Sequence, residues 1–398
     1  MAEDLSAGND ASASEAVPFW HDPAKRGMAF QAAFLILVLT MGYVLFTITR
    51  GNLERQSIAT GFDFLTREAG FEIGESLIAY SAANTYARAL VVGILNTLKV
   101  AVIGIVMTVV LGGLVGVARL SANWLLARLA AAYIEVLQNI PILLQLFFWY
   151  AIFREVLPSP RQTMNPIAGV YFNNRGFFFP VPKHDPAHEM MAAAFVAAWV
   201  AGLFLRRWAR RRQDLTGRTF PGWTCSVLLL LLFPFGVWLA FGAPSAMEIP
   251  QLKGFNFEGG LSISPEFGAL LLGLVLYTSA FVAEIVRAGI QAVSHGQTEA
   301  AMSIGLRPSL VLSLIVLPQA LRVIIPPLTS QMLNLTKNSS LAVAIGYPDV
   351  VSVVNTTINQ TGQAIEGVLM IMTVYLVLSL ATSAFMNWYN KKMALVER

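Results

Sequence analysis

The chain is short of charge, of cysteine and of histidine. Only 13% of its 398 residues are Asp, Glu, Lys or Arg, against about 25% in an ordinary soluble domain. That excludes a disordered polyelectrolyte. A net charge of +4 is too small to point to a nucleic-acid binder. The single cysteine, Cys225, excludes an intrachain disulfide and with it a disulfide-stapled secreted scaffold. The four histidines, His21, His184, His188 and His295, show no metal-ligand spacing. There is no GxxxxGK followed by Ser or Thr, hence no phosphate-cradling loop. No catalytic constellation and no repeat at solenoid spacing is found.

Apolar residues are what the chain has in excess: 56% of the sequence, with a mean hydropathy of +0.62. They fall in long blocks, and a bilayer core needs about 20 such residues as a helix. The blocks predict eight spans, at 30–48, 89–117, 129–153, 190–205, 223–241, 267–286, 310–333 and 365–386. The expected fold class is therefore all-α, a polytopic membrane protein. Residues 1–28, polar and acidic at first, read as a disordered cytoplasmic tail. Residues 1–21 supply no basic n-region ahead of a short apolar core, and the first block is too long for a cleaved signal, so 29–48 reads as an uncleaved anchor.

Orientation follows from basic residues. The cluster Arg206, Arg207, Arg210, Arg211 and Arg212 lies in a short loop, and such a loop belongs in the cytoplasm. Eight spans then put both termini inside. Outside fall 49–88, 158–188, 242–266 and about 339–364. The second of these carries six prolines and is expected to be an irregular loop.

The cytoplasmic segment 284–318 is the most informative stretch. Ser294-His295-Gly296-Gln297 fits a capping box. Ala300, Ala301 and Met302 favour helix, Gly305 is suited to a left-handed stop, and Pro308 forbids simple continuation. A stand-alone helix of about 15 Å is expected on this face. Its small residues, Ala300, Ala301 and Ser303, would admit a close partner surface, and Glu299 would offer it one charge.

The spacing here has a known counterpart. Glu299-Ala300-Ala301, three residues, Gly305, nine residues, then Ile315-Val316-Leu317-Pro318 resembles the EAA loop of type I ABC importer permeases. In that family the loop is the coupling helix that seats in a groove of the ATPase subunit. NTLKV from Asn96, GLVGVARLS from Gly113, YIEVLQNIPILLQLFF from Tyr133, FVAEIVRAG from Phe281 and TKNSSLA from Thr336 resemble the polar-amino-acid (histidine/glutamine type) permeases. Gln138 departs from the arginine that many of them carry before the asparagine. The longer layout is similar to a permease of the Gram-negative general L-amino-acid importers. The resemblance implies a transmembrane domain over 89–388, a two-span insertion at about 158–266 and a coupling loop at about 288–318.

Ionisable groups inside spans are costly and mark cavities or partners. Lys99, a turn from Asn96, either lines a polar path or pairs with an acid. Tyr277 and Glu284 are two turns apart on one helical face. Glu284 either contacts the ligand's ammonium group or pairs with Arg287, three residues on. Asn96, Lys99, Tyr277 and Glu284 are thus the candidate substrate-path residues, while Glu299, Ala300, Ala301 and Gly305 are the candidate ATPase-coupling residues. Pro326 and Pro327 are expected to bend the seventh span.

The function implied is the permease subunit of an ATP-driven importer of polar L-amino acids in the bacterial inner membrane. No cofactor is expected on this chain; ATP and Mg would sit on partner ATPase subunits. A second permease, a periplasmic amino-acid-binding protein and the lipid bilayer complete the implied partners, and no nucleic acid. The alternative is an ion- or proton-coupled secondary amino-acid transporter acting alone, which would need paired repeats or coupling acids.

Overall fold

The computed structural model describes residues 23–55 and 61–393. Residues 1–22, most of the expected tail, lie outside them. The helix α1, Pro23–Arg55, starts earlier and ends later than the anchor read from hydropathy. Its most apolar stretch has no residue buried in the protein. Among the described residues, seven helices are long and apolar enough to cross a membrane, or eight if one bent pair is a single span.

The core is built on α2, Tyr86–Arg119. It runs parallel to a later helix that begins at Pro265. A Cβ at Gly104 would approach Leu271, one at Gly112 would meet Val282, and one at Gly116 would meet Val286. Glycines on this face let the two backbones approach closely, the usual packing device between membrane helices.

The third block is not one helix. α3, Trp124–Asn139, and α4, Ile142–Ala151, with the π turn Ile152–Val156, meet at 103°. Pro141 is the cause. It lacks an N–H, and it holds Ile140 in extended backbone at φ −96°, ψ 125°. The carbonyls freed by the break are satisfied by a side chain: Gln145 Nε2 donates to Leu137 O at 2.9 Å and to Ile140 O at 3.0 Å.

The expected irregular loop is largely sheet. Strands β1 (Met164–Ile167), β2 (Val170–Asn173) and β3 (Gly176–Phe179) form an antiparallel meander, followed by β4 (Val181–Pro182). Val170, Tyr171, Phe172 and Phe177 to Phe179 are strong strand formers, and this outweighs the prolines, of which only Pro166 and Pro182 fall inside strands. α5, Pro186–Thr216, and α6, Gly222–Ala240, then form a helical hairpin. Gly217 closes α5 at φ 67°, and the two helices pack chiefly on each other. The chain returns through β5 (Met247–Glu248), β6 (Gln251–Lys253), β7 (Asn256–Glu258) and β8 (Leu261–Ile263). β8 pairs with β3 and β5 with β4, so both arms of the insertion are stitched together at one end of the bundle.

α7, Pro265–Gln291, has Ser264 as its cap: Phe267 N donates to Ser264 Oγ at 3.1 Å. After it come α8 (His295–Ser303) and α9 (Pro308–Val311), the π turn Leu312–Val316, and α10 (Leu317–Asn338). Leu317 N reaches back to Leu312 O. That one-residue widening sits directly before Pro318, whose ring would otherwise press on the preceding turn. α10 runs as one helix through Pro326 and Pro327; the expected bend does not break it. A 3-10 turn, Ser339–Ile345, and α11, Val350–Thr361, occupy the segment read as an outer loop. α12, Ala364–Met393, is the last span.

Candidate functional site

The inner candidate site is α8. Its expected capping box does not form: Ser294 makes no side-chain cap bond, and the first turn is held by Gln297 N donating to Ser294 O at 3.1 Å. The C-terminus is closed as the sequence requires. Gly305 has φ +80°, Leu306 N donates to Ala301 O at 3.2 Å, and Gly305 N donates to Met302 O at 2.9 Å. These two bonds are a Schellman motif, which uses carbonyls the helix end would leave open.

Closure fixes what α8 presents. Ala301 is buried at 2% exposure, and α8 packs on α9 and the π turn after it. Ala301 is therefore turned to its own chain rather than outward. Glu299 and Ala300 are exposed, as are Met302 at 51% and Ile304 at 78%. The outward face of this short helix thus carries one acid, one small residue and two uncovered apolar side chains.

The outer candidates sit in a polar knot at the other end of the bundle. Asn96 is fully buried; its Nδ2 donates to Glu75 O at 2.8 Å and to Pro348 O at 2.9 Å. Lys99 pairs with the Glu75 carboxylate and lies 4.2 Å over the Phe267 ring. Glu75 also accepts from Ser264 Oγ at 2.6 Å. Thus one loop, the first half of α2, the start of α7 and the approach to α11 are tied by the side chains of Asn96, Lys99, Glu75 and Ser264. Of the two readings open for Lys99, its geometry is that of an acid pair. Glu75 and Ser264 went unnoticed in the sequence. Ser264-Pro265-Glu266 is a helix-start signal, but nothing local marks Glu75.

Beside this knot, Asp349 caps α11 by accepting from Ser352 N at 2.8 Å, and Tyr375 O–H lies 3.4 Å from its other oxygen. Burial pushes its carboxyl up to about 7, against the pull of the Ser352 and Val351 N–H groups. Burial likewise pushes the Tyr347 phenol up. Ser264 and Glu266 also border clefts of about 330 and 510 Å³, lined by Glu72 and Glu75 on one side and by Arg154, Glu155 and Arg175 on the other.

Tyr277 and Glu284 are elsewhere. Tyr277 packs on Phe281 at 5.0 Å between ring centroids. Glu284 forms a two-pronged pair with Arg287. Phe267, level with Lys99, and Glu284 are separated by about 25 Å along α7 at 1.5 Å per residue. The four path candidates therefore do not converge on one ligand.

The sequence from residue 104 to 395 matches the family described as binding-protein-dependent transport system inner membrane component. The chain is 50% identical to the general L-amino acid transport system permease of Rhizobium johnstonii, over 95% of this chain and 94% of that one. It is 40% identical to the glutamate/glutamine/aspartate/asparagine transport system permease of Rhodobacter capsulatus, over 95% and 96%. A crystal structure of an amino acid ABC transporter with histidines aligns over 77% of this chain and 95% of its own, at 20% identity and a TM-score of 0.46. A family match over most of the chain, joined to near-full-length relatives, makes this protein a member of the binding-protein-dependent transport system inner membrane components, a multi-pass membrane subunit.

Proposed function

We propose that this chain is the permease subunit of an ATP-driven importer of L-amino acids, with breadth across polar side chains. The observation that carries the reading is α8, a self-closed helix between two spans whose uncovered face is Glu299, Ala300, Met302 and Ile304. Separate ATPase subunits, which hold the ATP and Mg, would grip that face. A second permease would complete the path, and a periplasmic binding protein would deliver ligand at the end bearing the β-strands. Both termini and the arginine cluster of 206–212 would then be cytoplasmic in the inner membrane. ATP-driven closure moves paired coupling helices together and favours one access state; release follows from the lower affinity of the other state.

The test is Gly305→Asp. An L-residue in the left-handed region costs about 1–2 kcal/mol, and it loosens the Schellman closure without touching the spans. Uptake should fall sharply at normal membrane abundance, with ATP hydrolysis no longer tracking transport. Wild-type uptake and coupling in that variant would refute the role given to α8.

A further inference from the structure

The basic end of the α5–α6 hairpin is fixed in depth by its packing. A Cβ at Gly222, the first residue of α6, would meet the Ala209 Cβ at 2.7 Å and the Arg206 Cα at 3.8 Å. Arg206 therefore lies level with the start of α6. α6 has 19 residues, about 28 Å at 1.5 Å per residue, which matches a hydrocarbon thickness of about 30 Å. Arg206 thus stands at one face of the hydrocarbon, and α5 runs on beyond it to Thr216. The polar layer of a leaflet is about 5–8 Å deep, so Arg206, Arg207, Arg210 and Arg211 fall within it. Trp208 and Trp223, both exposed, lie at the same depth, where indole rings settle.

Residues 206–218 hold six arginines and one acid, Asp214. Among the described residues none of these six guanidinium groups forms an ion pair or a hydrogen bond. Arg206 and Arg210, Arg207 and Arg210, and Arg207 and Arg211 are like charges three or four residues apart, which repel on a helix. Arg206 lies 5.7 Å over the Trp223 ring. Its Nε is shut off without a hydrogen-bond partner, so its terminal nitrogens alone are left to meet an anion. Leu203, Arg206, Arg207 and Arg210 share one helical face, at spacings of three, four and seven from Leu203. Leu203, Arg207 and Arg210 are exposed, and Leu203 sits one turn deeper in the hydrocarbon. An apolar side chain directly beneath three cations with no counter-ion complements a molecule with an anionic head and an acyl tail.

We propose that this face binds an anionic phospholipid, with the headgroup phosphate among Arg206, Arg207 and Arg210 and an acyl chain over Leu203. The arginine fork matches phosphate oxygens, and indole rings flank such headgroups. A zwitterionic lipid brings its own cation, which competes with the arginines. Free phosphate gains nothing from Leu203. An acidic protein outside the bilayer meets the outer arginines, Arg212 and Arg218, before it meets Arg206. α5 and α6 pack chiefly on each other, so a lipid bound here anchors a hairpin that the rest of the bundle holds weakly.

The full-length chain in nanodiscs of phosphatidylcholine with a minority of phosphatidylglycerol provides the test. Lipid retained after transfer to a mild neutral detergent is counted by native mass spectrometry. The wild type should retain phosphatidylglycerol in preference to phosphatidylcholine, and the preference should shrink as salt rises. Arg206→Gln, Arg207→Gln and Arg210→Gln should each lower it about fivefold, the effect of one basic residue beside an anionic lipid surface. Arg218→Gln, the same charge change off this face, should leave it intact. Arg207→Lys and Arg210→Lys keep the charge and should keep most of the preference, and they decide the matter if the glutamine variants fail to insert. Equal retention of the two lipids by the wild type, or a preference that ignores salt, overturns the lipid site. An equal loss in Arg218→Gln also overturns it, marking a diffuse field. Full displacement of the lipid by inorganic phosphate at matched ionic strength would mark a free-phosphate site instead. Protection of Arg207→Cys from thiol labelling, in a Cys225→Ser background, by an added ATPase subunit and not by phosphatidylglycerol would assign the face to a protein.

Discussion

Replacing Gly112 by alanine pits two effects of opposite sign against each other. In a helix interior alanine is favoured over glycine by about 1 kcal/mol. At Gly113 that gain should be realised, because an added Cβ meets nothing within 4 Å. At Gly112 the Cβ would fall 2.6 Å from Val282 Cβ and 2.9 Å from Ser279 O. One is a branch-point carbon and the other a backbone atom, so neither can rotate away. Overpacking of this kind costs about 1–3 kcal/mol, since α2 must back off α7 along its length. Gly112→Ala should thus be less stable than Gly113→Ala by about 1–3 kcal/mol. Gly116→Ala, 2.7 Å from Ala283 O, should behave like Gly112→Ala. Unfolding of the purified complex in mixed detergent micelles, followed by helicity, reads the difference. Equal stability of Gly112→Ala and Gly113→Ala would refute the close parallel packing of α2 on α7.

Gln145→Leu should destabilise the protein by about 1–3 kcal/mol, because the Leu137 and Ile140 carbonyls lose a buried donor; thermal unfolding checks this. For Asp349 the folded value near 7 stands above the unfolded one, so between about pH 4 and 7 the folded state holds the extra proton. Stability should therefore fall as pH rises through that window and level off above it. Asp349→Asn keeps a capping oxygen and should remove this slope, seen as melting midpoints that converge as pH falls to about 4 and separate by about pH 8. Lys99→Met should destabilise more than Lys99→Met combined with Glu75→Gln, since the single change strands a partly buried carboxylate; a double-mutant cycle measures the coupling.

The long apolar blocks and the stop at Gly305 were legible because each is local: hydropathy for the first, a backbone angle for the second. The break at Pro141 carried its own signal, but continuous hydropathy on either side masked it, and the compensating role of Gln145 exists only once the chain has turned. β1–β3 and β8 were hidden because the strands are short and their pairing spans the whole α5–α6 hairpin. The partner of Lys99 lies 24 positions away, in a loop with no motif. Glu284 and Arg287 were the reverse case, a pair readable from their spacing of three.

The point where the insertion leaves the bundle lies close to the point where it returns. Arg154 and Glu155 border the same cleft as Ser264 and Pro265, and Tyr150 O–H donates to Glu266 at 3.1 Å. A segment that departs and comes back within reach of one side chain is removable: a turn of a few residues from α4 to α7 would leave both helices in place. α5 and α6 supply each other's packing, and β3 with β8 fastens the stem. A lineage carrying such an appendage is free to lengthen, recharge or discard it, while the coupling helix and the glycine seam of α2 stay under separate constraint.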